Sequence, residues 1–338
     1  MVGIKDVARA AGVSVGTVSN VINRPQMVAD VTRDRVQAAI RRLGYVRSES
    51  ARQLRAGHSR ILALLVLDMA NPFFVDVATG AERAARAAGL GVMLCNSAQS
   101  PAEEAEYLGL FAEQRVRGVL ITPADTSGGN LADFQRHGIP SVCVDRVLPS
   151  AEGCSVSVDD VAGGALAARH LLERGHDSLV YVSGSMRLPQ CQDRYAGVLR
   201  ALDEAGAAPA TALRHIETER LDVASGRDAG ARLLGMSPRP SAVFCANDLL
   251  ALGVLQALYG AGVAVPDEVA LVGYDDIEFA AAAAVPLTSV RQPAYRMGRA
   301  AADLLIEETG EASADHEHQR IVLQPELVVR ASTFAARS

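Results

Sequence analysis

From Ile61 onward the chain repeats one pattern that few architectures satisfy: a short apolar run, a stretch with helical spacing, then another apolar run. The runs are Ile61–Leu67, Leu90–Cys95, Gly118–Ile121, Ser141–Val144, Leu179–Val182, Ala242–Cys245 and Val269–Val272. Alternation of this kind indicates parallel strands covered by helices. Seven such strands spread over about 210 residues exceed what one doubly wound sheet usually carries and fit two subdomains better. The break falls near Val156–Asp160, after which the series begins again with Val161–Arg174. The expected fold class is therefore α/β, with two doubly wound parallel-sheet subdomains and a different, smaller element in front of them.

That front element differs in charge. Residues 1–60 carry eleven basic against four acidic side chains, a net +7, whereas the remainder carries 22 against 35, a net −13. A basic head on an acidic body suits a module that meets phosphates, because phosphate neutralisation supplies most non-specific affinity for nucleic acid. A basic flexible tail has the same charge, so periodicity has to separate the two. Ile4, Val7, Ala8 and Ala11 follow the spacing of one helix face, and Gly12-Val13-Ser14 interrupts it. Val15–Asn23 forms a second short helix that ends at Arg24-Pro25, with Val18, Val21 and Ile22 facing inward. A third runs from about Asp30 to Leu43, with Asp30 at its positive end and Gly44 as its stop. Three helices sharing one small core make an all-α helix-turn-helix headpiece, although a packing module without DNA has the same spacing.

In a helix-turn-helix the N-terminal residues of the second helix meet base edges. Here they are Val15, Gly16 and Asn20, of which Asn20 can pair with adenine and Val15 can touch a thymine methyl, while Gly16 offers no side chain. Thr17, Ser19 and Asn23 are placed as phosphate donors. Residues 48–57 can form about two turns of helix between a serine cap and a glycine stop, marginal in isolation.

With Ile4-Lys5-Asp6-Val7-Ala8, Ala11-Gly12-Val13-Ser14, Thr17-Val18-Ser19, Val21-Ile22-Asn23, Leu43-Gly44-Tyr45 and Ala51-Arg52-Gln53-Leu54, the chain resembles the lactose-repressor/galactose-repressor family. The resemblance implies that residues 47–60 form a hinge that folds on the operator. Ala51 and Leu54 would then sit in the minor groove, Leu54 as an apolar wedge of the kind that kinks DNA. Val15 and Gly16 stand where family members often carry bulky polar residues, so no operator sequence carries over.

Ligands of open α/β sheets bind outside the carboxyl ends of the strands. Those ends hold Asp68 to Phe74, Asp145-Arg146, Ala246-Asn247-Asp248 and Tyr274-Asp275-Asp276. Paired carboxylate, amide and guanidinium groups suit a polyol's hydroxyls, and with no Trp in the chain, Phe73 and Phe74 are the apolar face for its ring. Residues 61–330 are similar to sugar-binding proteins of the ribose type, the effector-domain type of the same family. That resemblance implies ligand contacts from Asn71, Phe73, Phe74, Asp145, Arg146, Arg194, Asn247, Asp275 and Gln292. Leu221 takes the place of an aromatic, and Thr122 that of an amide.

The domains expected are residues 1–46 for the headpiece, 47–60 for the hinge, 61–159 plus about 289–321 for one effector subdomain, and 160–288 plus about 322–338 for the other. The function expected is a ligand-responsive transcriptional repressor that binds near-palindromic operator DNA as a homodimer. Its effector is expected to be a monosaccharide such as a pentose, with a purine or nucleoside as the alternative; the remote alternative for the chain as a whole is a sugar-transport binding protein. None of G-x-G-x-x-G, G-x-x-x-x-G-K-[ST] and G-x-S-x-G occurs after a strand, so no catalytic role and no cofactor are expected. The five cysteines are scattered, and no apolar run approaches a membrane span, which points to a cytoplasmic protein with reduced thiols. His316 and His318 have the spacing of metal ligands but lie in a polar, loop-like segment, and no metal is expected.

Overall fold

The computed structural model describes residues 2–46, 59–148, 152–310 and 316–334. It divides into two units, Met1–Ser59 and Arg60–Ser338. Residues 47–58 of the expected hinge, with Ala51 and Leu54, lie outside the described residues.

In the first unit α1 spans Ile4–Ala11, α2 Val15–Asn23 and α3 Asp30–Leu43, with a short 3₁₀ turn at Pro25–Met27. Gly12 ends α1 and Gly44 ends α3, each in the left-handed region at φ 62° and 60°, where a Cβ would be strained. The Ser14 hydroxyl accepts from the Thr17 amide at 3.1 Å and so fixes the start of α2. Val7, Ala8, Ala11, Val18, Val21, Val36 and Ala39 form the core, and Ile22 packs at its margin.

The second unit contains two six-stranded sheets. Strands β1 to β5 are Ile61–Val66, Gly91–Asn96, Gly118–Ile121, Ser141–Val144 and Cys154–Val158. Strands β6 to β10 are Leu179–Ser183, Leu213–Glu217, Ala242–Cys245, Ala270–Asp275 and Thr288–Arg291. Two short strands close the series, β11 at Arg320–Leu323 and β12 at Glu326–Val328. The first sheet runs β11-β5-β4-β3-β1-β2, all parallel; the second runs β12-β10-β9-β8-β6-β7, parallel except for β12. The chain passes between sheets after β5, after β10 and after β11. The order reverses between β1 and β3 in one sheet and between β6 and β8 in the other, the switch points where such sheets open a crevice.

Three helix pairs cover the sheets: Pro72–Ala87 on Ala294–Glu308, Asp160–Glu173 on Pro189–Glu204, and Val223–Leu234 on Asp248–Gly260. Each crosses at glycines that let the backbones touch. A Cβ on Gly80 would lie 2.1 Å from the Tyr295 carbonyl oxygen, and one on Gly298 would lie 1.9 Å from that of Val77. Gly164 meets Arg194, Gly197 meets Val161, Gly226 meets Leu250 and Gly253 meets Val223 in the same way.

Candidate functional site

A small cavity of about 40 Å³ lies between the two sheets, lined by Leu67, Asn71, Phe73, Phe74, Asp145, Leu188, Gln190, Cys191, Arg194, Leu221, Asn247, Asp275 and Gln292. Its polar groups come from strand exits on both sides. Asn71 caps the helix Pro72–Ala87, its carbonyl oxygen accepting from the Phe73 amide at 3.1 Å while its amide donates to Asp275 Oδ2 at 2.8 Å. That cap sets Phe73 and Phe74 in the cavity wall, their rings edge to face at 5.0 Å. Across from them Leu188 and Leu221 supply an aliphatic wall.

The two carboxylates occupy unusual backbone. Asp145, at the end of β4, has φ 60°, and Asp275, at the end of β9, has φ 102°. Glycine would sit there without strain, so the aspartates bring their carboxylates to the cavity at a conformational cost. Gln190 donates to Asp145 Oδ2 at 3.1 Å, and Gln292 donates to Asp275 Oδ1 at 2.7 Å. Asp145 Oδ1 and Gln292 Oε1 are buried without a partner, so the cavity presents acceptors that call for donors.

Charge balance has the same direction. Burial, with the nearby Asp160 charge adding to it, pushes the Asp145 carboxyl up to about 7, against the pull of Arg194. Burial likewise lifts Asp275 to about 6 despite Arg194 and its two amide donors. Arg194 serves the neighbouring scaffold. It donates to Asp160 Oδ1 at 2.7 Å and to the Ala246 carbonyl at 2.6 Å, and lies over the Tyr274 ring at 3.7 Å. Asn247 caps the helix Asp248–Gly260 through the Leu250 amide at 2.9 Å and donates to the Leu221 carbonyl at 3.0 Å.

Of the effector residues expected from the sequence, one lies elsewhere. Arg146 is absent from the cavity lining. Its guanidinium donates to the carbonyls of Asp125 at 3.1 Å and Thr126 at 3.4 Å, two residues that line a neighbouring cleft. The left-handed turn at Asp145 sends adjacent side chains in different directions, which a dipeptide in sequence does not reveal. Thr122 is fully buried at the exit of β3, its hydroxyl unpartnered. Gln190 was missed; the signal was its place just after Pro189, at the helix start that follows β6.

In the first unit Val15, at 40% exposure, stands with Gly16 and Asn20 on the open face of α2. Thr17 is tied to the Ser14 hydroxyl at 2.9 Å, and the Asn23 amide donates to the Ser19 carbonyl at 2.9 Å and to its hydroxyl at 3.2 Å. These bonds hold the face rigid and leave Asn20 projecting from it.

Residues 3–48 match the model for bacterial regulatory proteins of the lacI family, and residues 168–333 match that for a periplasmic binding protein-like domain. The HTH-type transcriptional repressor PurR of Vibrio atlanticus (strain LGP32) is 35% identical over 334 residues, covering 98% of each chain. The lac repressor dimer, solved with operator and the anti-inducer ONPF, superposes with a TM-score of 0.85 at 25% identity, covering 99% of each chain. A lacI-family regulator from Enterococcus faecium with bound ribose superposes at 0.73 with 27% identity, over 81% of this chain and 98% of that one.

Proposed function

The chain belongs to the lacI family of bacterial regulatory proteins and is a ligand-responsive DNA-binding repressor; from that premise we propose that its effector is a monosaccharide, held as a pentose would be. The observation that carries this reading is the acceptor-rich cavity: two aspartates from opposite sheets, with Asp145 Oδ1 and Gln292 Oε1 buried and unpartnered. Hydroxyls around a sugar ring supply donors in several directions at once, and the Phe73 face covers the apolar side of the ring. At about 40 Å³ the cavity holds only a few waters, less than a sugar needs. Ligand entry therefore requires the subdomains to part, breaking the Asn71–Asp275 and Gln190–Asp145 bonds that cross between them. The sugar replaces those bonds as they re-close, so its affinity for the two arrangements differs, which is the condition for switching.

At the other end, we assign base reading to Val15, Gly16 and Asn20, phosphate contacts to Thr17, Ser19 and Asn23, and minor-groove contacts to Ala51 and Leu54. One α2 reads too few base pairs alone, so a homodimer on a two-fold operator follows. The Phe73–Phe74 pair sustains a second reading, a purine or nucleoside stacked on Phe73, although the opposing Leu188 and Leu221 offer no second ring.

A thermal-shift screen of pentoses, hexoses, purines and nucleosides tests both. A sugar present at about 100 times its Kd stabilises the protein by roughly 2.7 kcal/mol. A shift with a pentose or hexose, absent in Asp275→Asn, is the expected result. A shift with nucleobases alone transfers the assignment to the second reading.

A further inference from the structure

Away from the ligand cavity, four potential metal ligands meet at the edge of the first sheet. Cys154 opens β5, Glu308 ends the helix Ala294–Glu308, and His316 and His318 lie in the segment leading into β11. Cys154 Sγ is 3.2 Å from His316 Nε2 and 3.7 Å from His318 Nδ1, and His318 Nδ1 is 4.0 Å from Glu308 Oε1. One donor atom from each of the four lies within 4.8 Å of every other. Among the described residues this is the one cluster of its kind.

Hydrogen bonding alone leaves the cluster poorly satisfied. A thiol has one proton, and here it faces two imidazole nitrogens while already accepting the Gln319 amide at 3.3 Å. Only one imidazole can take that proton, and the other is left to donate its own N–H to a sulfur that is a weak acceptor. Glu308 Oε2 is buried with no partner. A sulfur, two nitrogens and a carboxylate oxygen thus crowd around one point, and with the thiol deprotonated and both imidazoles in the matching tautomer a cation there satisfies all of them.

We propose that Cys154, Glu308, His316 and His318 form a closed, tetrahedral structural site for a zinc ion. Zinc bonds sulfur at about 2.3 Å and imidazole nitrogen at about 2.0–2.1 Å, so tetrahedral ligands stand roughly 3.3–3.6 Å apart. The separations at Cys154 bracket that range, and the exposed His318 side chain can swing to close the rest. A mixed sulfur, nitrogen and oxygen set selects zinc over magnesium or calcium, which prefer oxygen alone. The Gln319 amide on the sulfur is the outer contact that orients a zinc thiolate. Four protein ligands leave no position for substrate, so the ion is structural. It ties the edge strand β11, from which the chain makes its last passage to the second sheet, to β5 and to the end of the preceding helix.

The site is independent of the effector assignment and is tested with the untagged full-length chain, stripped by chelator and reloaded with Zn²⁺ or Co²⁺. The expected result is one metal retained per chain after desalting. Co²⁺ should give a thiolate-to-metal charge-transfer band with the intense visible bands of a tetrahedral ion. Cys154→Ser should abolish the charge-transfer band. Because Cys154 is buried and its replacement can disturb the sheet, His316→Ala combined with His318→Ala, on the surface segment, provides the second variant. It should weaken Zn²⁺ binding by more than about 100-fold, beyond the 10–100-fold of losing an outer contact, while keeping the wild-type circular dichroism. Failure of the wild-type chain to retain Zn²⁺, or equal retention by the double-histidine variant, overturns the proposal.

Discussion

At the residue scale the informative positions are Asp145 and Asp275, buried acidic side chains on left-handed backbone. Burial lifts Asp145 to about 7 from an ordinary value near 3.8, and the sign of its effect on stability follows from linkage. Below about pH 4 the carboxyl is protonated whether the chain is folded or not, and the group is neutral to stability. As pH rises toward 7 the unfolded chain ionises while the buried group keeps its proton, so the folded state loses relative stability. Above 7 that loss is complete. Melting curves of the ligand-free protein from pH 4 to 8 should therefore fall less steeply for Asp145→Asn than for wild type. Parallel curves would mean that Asp145 titrates normally and that the cavity is open to water. Arg146 teaches the complementary point: its guanidinium is chemically suited to a polyol, yet its contacts are the carbonyls of Asp125 and Thr126.

At the scale of elements, packing depends on missing side chains. Gly80 and Gly298 let the helices Pro72–Ala87 and Ala294–Glu308 approach until backbone meets backbone. A methyl group there has no flexible neighbour to displace. Gly298→Ala should destabilise the protein by about 1–3 kcal/mol, the range for overpacking, even though alanine is the better helix former. Gly109, exposed in the helix Pro101–Glu113 with nothing within 4 Å of an added Cβ, provides the contrast. Gly109→Ala should stabilise by about 0.5–1 kcal/mol through helix propensity alone. Chemical denaturation of both variants checks the pair, and a neutral Gly298→Ala would show that the crossing can widen.

At the scale of the whole molecule the two units carry separable duties, and paired variants should expose the division. Asn20→Ala, on the open face of α2, should lose about 1–3 kcal/mol at the cognate operator and spare both binding to random DNA and the thermal shift with effector. Asp275→Asn should do the reverse, binding operator as wild type does in the absence of effector but no longer responding to it. Fluorescence anisotropy with operator and random duplexes, with and without the sugar found by screening, separates the outcomes. Loss of ligand response in Asn20→Ala, or equal losses on both duplexes, would contradict the division.

What could be read in the sequence was local. The three headpiece helices follow from apolar spacing closed by Ser14, Gly12 and Gly44, and the strands β1, β2, β3, β4, β6, β8 and β9 follow from apolar runs, because periodicity and capping act within a few residues. Strand exits then identified Asn71, Asp145, Asn247 and Asp275 as candidates, since topology sends every such exit toward the crevice. Strands β5, β7, β10, β11 and β12 escaped notice. Serine or threonine interrupts β5 and β10, and β7, β11 and β12 lie at sheet edges with mixed burial, so no long apolar run marks them. Contacts between distant residues were decided by the tertiary structure alone. The fold brings Gln190 to Asp145, turns Arg146 aside, and sets Cys154 beside His316 across 162 positions. No spacing rule spans such distances, because two strand ends become neighbours only once the sheets between them have formed.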